Sequence, residues 1–233
     1  MTIIPMKTTA LPLGPEVATH AAQRPAPITI EGRYCRLRPL DPARDAALLY
    51  ERTHGPNDAA LWAYLPYGPF ADATAFRTWT EANSASTDPL FFAIEVDGKI
   101  AGQASFLRIT PEHRVIEVGH ILYSPLLQRT PAATEAMYLM ARHAFDTLGY
   151  RRYEWKCNDL NAPSRAAALR LGFAYEGTFR QHLIVKGRNR DSAWYSMLDT
   201  EWPACKAAFE RWLEAANFDA QGRQCASLAT LRG

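Results

Sequence analysis

The stretch Ile116-Glu117-Val118-Gly119-His120-Ile121-Leu122-Tyr123, followed four residues later by Gln128-Arg129-Thr130-Pro131-Ala132-Ala133-Thr134-Glu135, decides how this chain is read. The first segment is a strand and the second a helix start. Thr130 suits the cap position, and Pro131 suits the first helical position, where no N–H is needed. Small residues at such a start leave backbone N–H groups free at the positive end of a helix dipole, which suits a phosphate or pyrophosphate. Gly119 inside the strand marks a bulge or a close backbone approach, as does Gly102 further back.

Upstream, Phe91 to Val96, Asp97-Gly98 and Lys99 to Ile109 form the strongest hairpin pattern in the sequence. Thr110 to Arg114 turns the chain into the strand Val115 to Tyr123. Before them come two half-strands, Ile28 to Ile30 and Cys35 to Arg38, broken at Glu31-Gly32. A helix then opens at Asp41 or Pro42, an aromatic and proline-punctuated loop runs from Leu61 to Phe70, and a second helix spans about Asp72 to Asn83. Downstream, Ala133, Ala136, Met137, Met140 and Ala144 place one apolar face on a helix over Pro131 to Thr147, stopped by Gly149. A strand Arg151 to Cys157 and a helix Ala162 to Leu171 closed by Gly172 follow. Next is a long hairpin, Tyr175 to Val185 and Arg190 to Leu198, and a last helix over about Trp202 to Ala215. This mixed order predicts an α+β fold with a largely antiparallel sheet flanked by helices. Residues 1–27, with five prolines among small residues, read as a flexible arm, 28–216 as a single domain, and 217–233 as a featureless tail.

The 233 residues are 48% hydrophobic and 21% charged, which fits one globular domain with a sizeable core. A formal net charge of +2 without any block of like charges argues against nucleic acid and membrane surfaces as partners. Cys35, Cys157, Cys205 and Cys225 form no C-x-x-C pair and no zinc-ligand spacing with histidine, so free thiols and no metal site are expected. Pro5, Pro12 and Pro15 interrupt what a signal peptide would need, and the expected compartment is the cytoplasm.

The run from Glu117 to Phe173 resembles the GNAT acetyltransferases, in particular their ribosomal-protein N-terminal acetyltransferase branch. The resemblance rests on IEVGH at 116–120, QRTPAATEA at 128–136, LGYRRYEW at 148–155, NAPSR at 161–165 and RLGFAYEGTFR at 170–180. It extends more loosely over residues 28–214 and implies a three-layer α/β/α sandwich. It also implies acetyl-CoA as donor, with the pantetheine arm along Ile121, Leu122 and Tyr123. The pyrophosphate would lie on the backbone of Gln128, Arg129, Thr130, Ala132, Ala133 and Thr134. Pro131 departs from the glycine of the common loop pattern and removes one N–H from that cradle.

Glu117 stands where such relatives often carry a carboxylate base; read without them it is a solvated strand residue or the partner of Arg114 or Arg108. A backbone N–H near Leu122 or Tyr123 would polarise the thioester carbonyl. The tyrosine acid of many GNAT enzymes is absent, Ala168 occupying its place. Ser164 is the replacement candidate for contact with the CoA sulfur, or else a cap of the helix that starts near Ala162. Asn161 binds the pantetheine amide or forms the turn. His120 lies three residues from Glu117 and so on the opposite face unless a bulge at Gly119 realigns it. Trp62, Tyr64, Tyr67 and Phe70, with His120, are the expected acceptor pocket, though aromatics there serve a core equally well. Arg180, Lys186, Arg188 and Arg190 around the last hairpin suit a solvated tip, an acidic acceptor or the CoA 3′-phosphate. The expected reaction is acetyl transfer from acetyl-CoA to a peptide N-terminus by direct transfer in a ternary complex. A small-molecule amine acceptor and a non-catalytic acyl-CoA-binding module are the alternatives. Monomer and homodimer both remain open.

Overall fold

The computed structural model describes residues 11–233. Its first elements are the short strands β1 (Ile30–Glu31) and β2 (Arg36–Pro39), then helix α1 (Pro42–Thr53). Asp41 caps α1 by accepting from the Ala43 and Arg44 N–H groups, and Pro42 fills the first turn. A 3-10 turn (Asp58–Trp62) leads to α2 (Ala73–Ser84), capped by Asp72. The strands β3 (Leu90–Val96), β4 (Lys99–Thr110) and β5 (Val115–Tyr123) form a meander. Then come α3 (Pro131–Arg142), β6 (Arg152–Asn158) and α4 (Ala162–Leu171). The hairpin β7 (Ala174–Val185) and β8 (Arg188–Leu198) precedes α5 (Trp202–Trp212) and the short α6 (Leu228–Arg232).

The strands make one eight-stranded sheet in the order β1-β2-β3-β4-β5-β6-β8-β7. Every pairing is antiparallel except β5 with β6, which α3 connects as a crossover. Alternating residues on each strand feed two cores. Phe92, Ile94, Phe106, Ile116 and Val118 pack with Met137, Met140 and Phe209 on one face. Phe91, Ala93, Ile100 and Leu122 pack with Leu49, Trp62 and Phe76 on the other. The result is the expected three-layer sandwich, with α1 and α2 on one side and α3 and α5 on the other. Among the described residues, no helix is long and apolar enough to cross a membrane.

Several local details differ from the sequence reading. The helix expected over Pro131 to Thr147 is α-helical only to Arg142 and closes as a π-helical turn over His143–Thr147. The apolar pattern ends at Ala144, the second residue of that turn, so its spacing carries no sign of the change. Gly149, at φ +80°, ends the element in the left-handed region. The segment after Trp212 is built into the domain. Phe218 meets the Trp212 ring edge-on with centroids 5.1 Å apart, and the Trp212 indole donates to Gln224 Oε1 at 2.7 Å. Leu228 is fully buried. Single apolar residues among polar ones carry no periodicity from which such docking could be read. In the arm, the Ala22 and Gln23 N–H groups donate to the carbonyls of Pro111 and Leu148 at 3.0 and 2.9 Å. Residues 1–10 of that arm lie outside the described residues.

Glu135, buried on α3, accepts from the backbone N–H groups of Arg33, Tyr34 and Cys35 at 2.8, 2.6 and 2.8 Å. One carboxylate thus satisfies three donors of the β1–β2 turn and ties the edge of the sheet to the helix that starts beside β5.

Candidate active site

Two departures from regular pairing open the sheet at its centre. Ser105 pairs with Gly119 and Gln103 with Leu122, so His120 and Ile121 on β5 face the single residue Ala104 on β4. His120 takes the strain of that bulge at φ +50°. On its other edge, β5 pairs with β6 from Val115–Arg152 only as far as Val118–Trp155. The two parallel strands then part, and the edge from Gly119 to Tyr123 has no strand partner on that side. Ile121, Leu122 and Tyr123 all lie on this open edge.

The loop after β5 leads from this open edge into α3 and leaves backbone donors unbonded. Gln128 folds back to donate from Nε2 to the Tyr123 carbonyl at 3.2 Å, and Arg129 adopts φ +60°. Thr130 caps α3 as expected, its Oγ1 accepting from the Ala133 N–H at 3.2 Å. That N–H is therefore committed, and Ala133 contributes as a small residue instead of as a donor. Thr134 is likewise engaged, its hydroxyl accepting from Arg170 Nη1 at 3.1 Å. The Arg129 and Thr130 N–H groups have no protein acceptor among the described residues. Ala132 lies in the first turn, where a helix supplies no acceptor. Three donors remain, and Pro131 removes none of them.

Across the split, Asn161 caps α4 by accepting from the Ser164 N–H at 3.2 Å. The capping role considered for Ser164 thus belongs to Asn161, because the cap sits three residues ahead of the N–H it satisfies. The Ser164 hydroxyl accepts from the Trp155 indole at 3.0 Å and still has its own proton to donate. Burial pushes the neighbouring Cys157 thiol up, with Ser164 pulling the other way. Ala168 is buried in the core.

Glu117 lies on the α1–α2 face of the sheet. Phe91, Ser105 and Gly119 are cross-strand partners on that face, and Glu117 is two residues from Gly119. Its Oε2 accepts from Arg108 Nη1 at 2.7 Å and from Lys156 Nζ at 2.8 Å, leaving Oε1 on the Gly119 side. Lys156 also binds Glu154, which binds Arg152, which binds Glu176, so charges alternate along one continuous row. Arg108 was one of the two candidate partners in sequence. Lys156 was missed, since only the β5–β6 register places Glu117 beside Glu154 and brings Lys156 within reach.

The bulge carries His120 to this same face, where it stacks on Tyr67 at 5.5 Å, packs on Phe91 and bonds the Tyr67 hydroxyl through Nδ1 at 3.1 Å. Burial, aided by the charges of Arg108 and Arg190, pulls its pKa down to about 4. It is therefore a neutral imidazole near pH 7. Of the four expected pocket aromatics, Trp62 is wholly buried and bonds the Thr53 carbonyl at 2.8 Å, so it belongs to the core. Phe70 packs against it, whereas Tyr67 faces His120. Tyr64 reaches the Leu160 carbonyl at 3.0 Å, and Lys186 from the hairpin tip reaches the Trp62 carbonyl at 2.7 Å. The aromatic loop, the β6–α4 loop and the last hairpin thereby close around the split. Gln103 is fully buried on the same face beside Tyr67, whose hydroxyl it meets with its amide.

Comparison with known proteins follows the same lines. The family model described as "Acetyltransferase (GNAT) domain" matches residues 35–174. A Bacillus subtilis protein named "Putative ribosomal N-acetyltransferase YdaF" is 30% identical over 170 residues, covering 71% of this chain and 90% of its own. The spermidine N(1)-acetyltransferase of Escherichia coli K12 is 24% identical over 157 residues, 67% of this chain and 82% of its own. A crystal structure of a GCN5-related N-acetyltransferase from Brucella melitensis superposes with a TM-score of 0.90 at 46% identity, covering 91% of this chain and 97% of that one.

Proposed function

This chain belongs to the GNAT acetyltransferase family, and on that premise we propose that it moves an acetyl group from acetyl-CoA to the α-amine of a peptide or protein. The observation that carries this reading is the split between β5 and β6, with unpaired strand edge on one side and three free N–H groups at its mouth. The open edge from Ile121 to Tyr123 is suited to pair with the amides of a pantetheine arm, and the N–H groups of Arg129, Thr130 and Ala132 to hold a pyrophosphate. A backbone N–H at Leu122 or Tyr123 polarises the thioester carbonyl. Glu117, through Oε1 directly or through water, takes the proton of the acceptor ammonium, so that the free amine attacks. As the carbon–nitrogen bond forms and the carbon–sulfur bond breaks, the Ser164 hydroxyl donates toward the departing sulfur. A thiol of pKa about 8.5 leaves without a strong acid, which suits a site whose tyrosine position is Ala168.

One feature supports a peptide acceptor: the Bacillus relative is named for ribosomal acetylation. Release of free CoA thiol from acetyl-CoA, followed against peptides, amino acids, polyamines and aminoglycosides, tests the reading. Turnover with α-amine peptides above all other classes is expected; turnover confined to polyamines or aminoglycosides would overturn it.

A further inference from the structure

Among the described residues, one arginine on the acceptor face has no carboxylate bound to it. In the row Arg108, Glu117, Lys156, Glu154, Arg152 and Glu176, three cations alternate with three carboxylates. Arg190 stands outside that row. It lies on β8 two residues before Ser192, which is two before Trp194, the cross-strand partner of Lys156, so all four side chains share the face of Glu117. It is half-buried, and its one bond to the protein is from Nε to Ser192 Oγ at 3.2 Å. Among the described residues no carboxylate pairs with it, and both terminal nitrogens are unbonded. The adjacent Asp191 projects to the opposite face, where it accepts from the Gln181 N–H and from Asn189 Nδ2.

A second group meets the same serine. His182 Nδ1 lies 2.9 Å from Ser192 Oγ, with its ring against Phe179 and Trp194. Burial holds its pKa below the usual range, with the charges of Arg190, Arg108 and Lys156 acting the same way and that of Glu117 opposing them. Glu117 acts on this guanidinium only from a distance, and a guanidinium partly removed from water without a directly bonded carboxylate costs free energy that an anionic ligand would recover. Its planar fork matches a carboxylate through two parallel hydrogen bonds.

We propose that Arg190, steadied by Ser192 and His182, binds a carboxylate that the acceptor carries close to the amine to be acetylated. For a peptide acceptor, which rests on the reading above, this is an acidic side chain at the first or second residue. A polyamine acceptor is disfavoured, because it would set further positive charge against Arg190.

Three peptides identical except for Asp, Asn or Lys at the second residue test this, together with free aspartate and asparagine and with spermidine. The wild type should prefer the Asp peptide to its Asn isostere by about tenfold or more in kcat/KM, through KM. Arg190→Gln should bring that ratio near one, and Arg190→Lys should restore part of it. Equal use of the Asp and Asn peptides by the wild type, or an unchanged ratio in Arg190→Gln, would overturn the proposal. So would preference for spermidine over every acid. Arg190-dependent use of aspartate over asparagine without use of any peptide would sustain the carboxylate site while sinking the peptide reading.

Discussion

Glu117 holds Arg108 and Lys156 on one oxygen, so removing its charge acts on stability and on proton transfer together. Lys156 keeps Glu154 and Arg108 is half exposed, so Glu117→Gln should cost about 1–3 kcal/mol, less than stranding a wholly buried charge. In the folded variant, turnover at neutral pH should fall roughly a hundredfold and recover as pH rises past the α-amine pKa of ~8. A pH–rate profile matching wild type from neutral to alkaline pH would leave Glu117 purely structural. Ser164→Ala removes the acceptor of the Trp155 indole and the proposed donor to the leaving sulfur. Turnover should drop about ten- to a hundredfold while CoA affinity stays within a few-fold; loss of CoA binding by calorimetry would instead place Ser164 in the donor site. His120 gives a pH signature. Its folded pKa of about 4 lies below the ordinary 6.5, so between those values the unfolded chain binds more protons. Stability from this group is therefore present above pH 6.5 and lost as pH falls toward 4, by about 1–3 kcal/mol. Other histidines share the direction, so the measurement is the difference: urea unfolding of His120→Gln should lose less stability than wild type from pH 6.5 to 4.5. At this scale the sequence offered Glu117, His120 and Ser164 by position, and Arg108 as one candidate partner of Glu117, but not Lys156. Gly119 marked the bulge that brings His120 to the face of Glu117, whereas the approach of Lys156 depends on the β5–β6 register, which no local pattern encodes.

The element that would link the proposed donor site to the scaffold is α3. The unbonded N–H groups of Arg129, Thr130 and Ala132 lie just before it and in its first turn, and one turn later Glu135 secures the β1–β2 turn. Ala133→Glu would bring bulk and negative charge to the proposed pyrophosphate cradle and should abolish CoA binding. Calorimetry on the folded variant checks this, and unchanged affinity would remove the site from α3. Glu135→Ala, in contrast, strands three backbone donors and should cost about 2–4 kcal/mol, with amide exchange accelerated first at Arg33, Tyr34 and Cys35. Elements of this kind were legible because their ends carry their own chemistry. Asp41, Asp72 and Thr130 cap helices where their side chains accept from the first turn, and Gly172 stops α4 at φ +103°. The π-helical close at His143 was not legible, since the apolar pattern ends at Ala144, before the turn is complete.

Across the whole molecule, the contrast between the two chain ends bears on where the domain stops. Proline and small residues made the N-terminal arm look separable, and polar composition made the C-terminal segment look the same. The contacts distinguish them. From residue 11 to residue 21 the chain is exposed, and Ala22 and Gln23 supply the first backbone bonds to the body. At the other end, Leu228 is buried, Phe218 covers the Trp212 ring, and Arg232 donates to the carbonyls of Leu169 and Arg170 at the end of α4. Burying one Leu and most of one Phe contributes about 3–5 kcal/mol before ordering entropy is subtracted. We therefore expect removal of residues 1–20 to change unfolding free energy by less than about 0.5 kcal/mol, since no described contact in 11–20 is lost. Removal of 217–233 should instead cost about 2–4 kcal/mol, because Trp212 and the end of α4 lose their cover. Urea denaturation of the two truncations, read at the same pH, compares them directly. A C-terminal truncation as stable as wild type would show that the α5–α6 contacts add nothing to the domain. A large loss from the N-terminal one would show that the arm packs against the body or against a second copy of the chain.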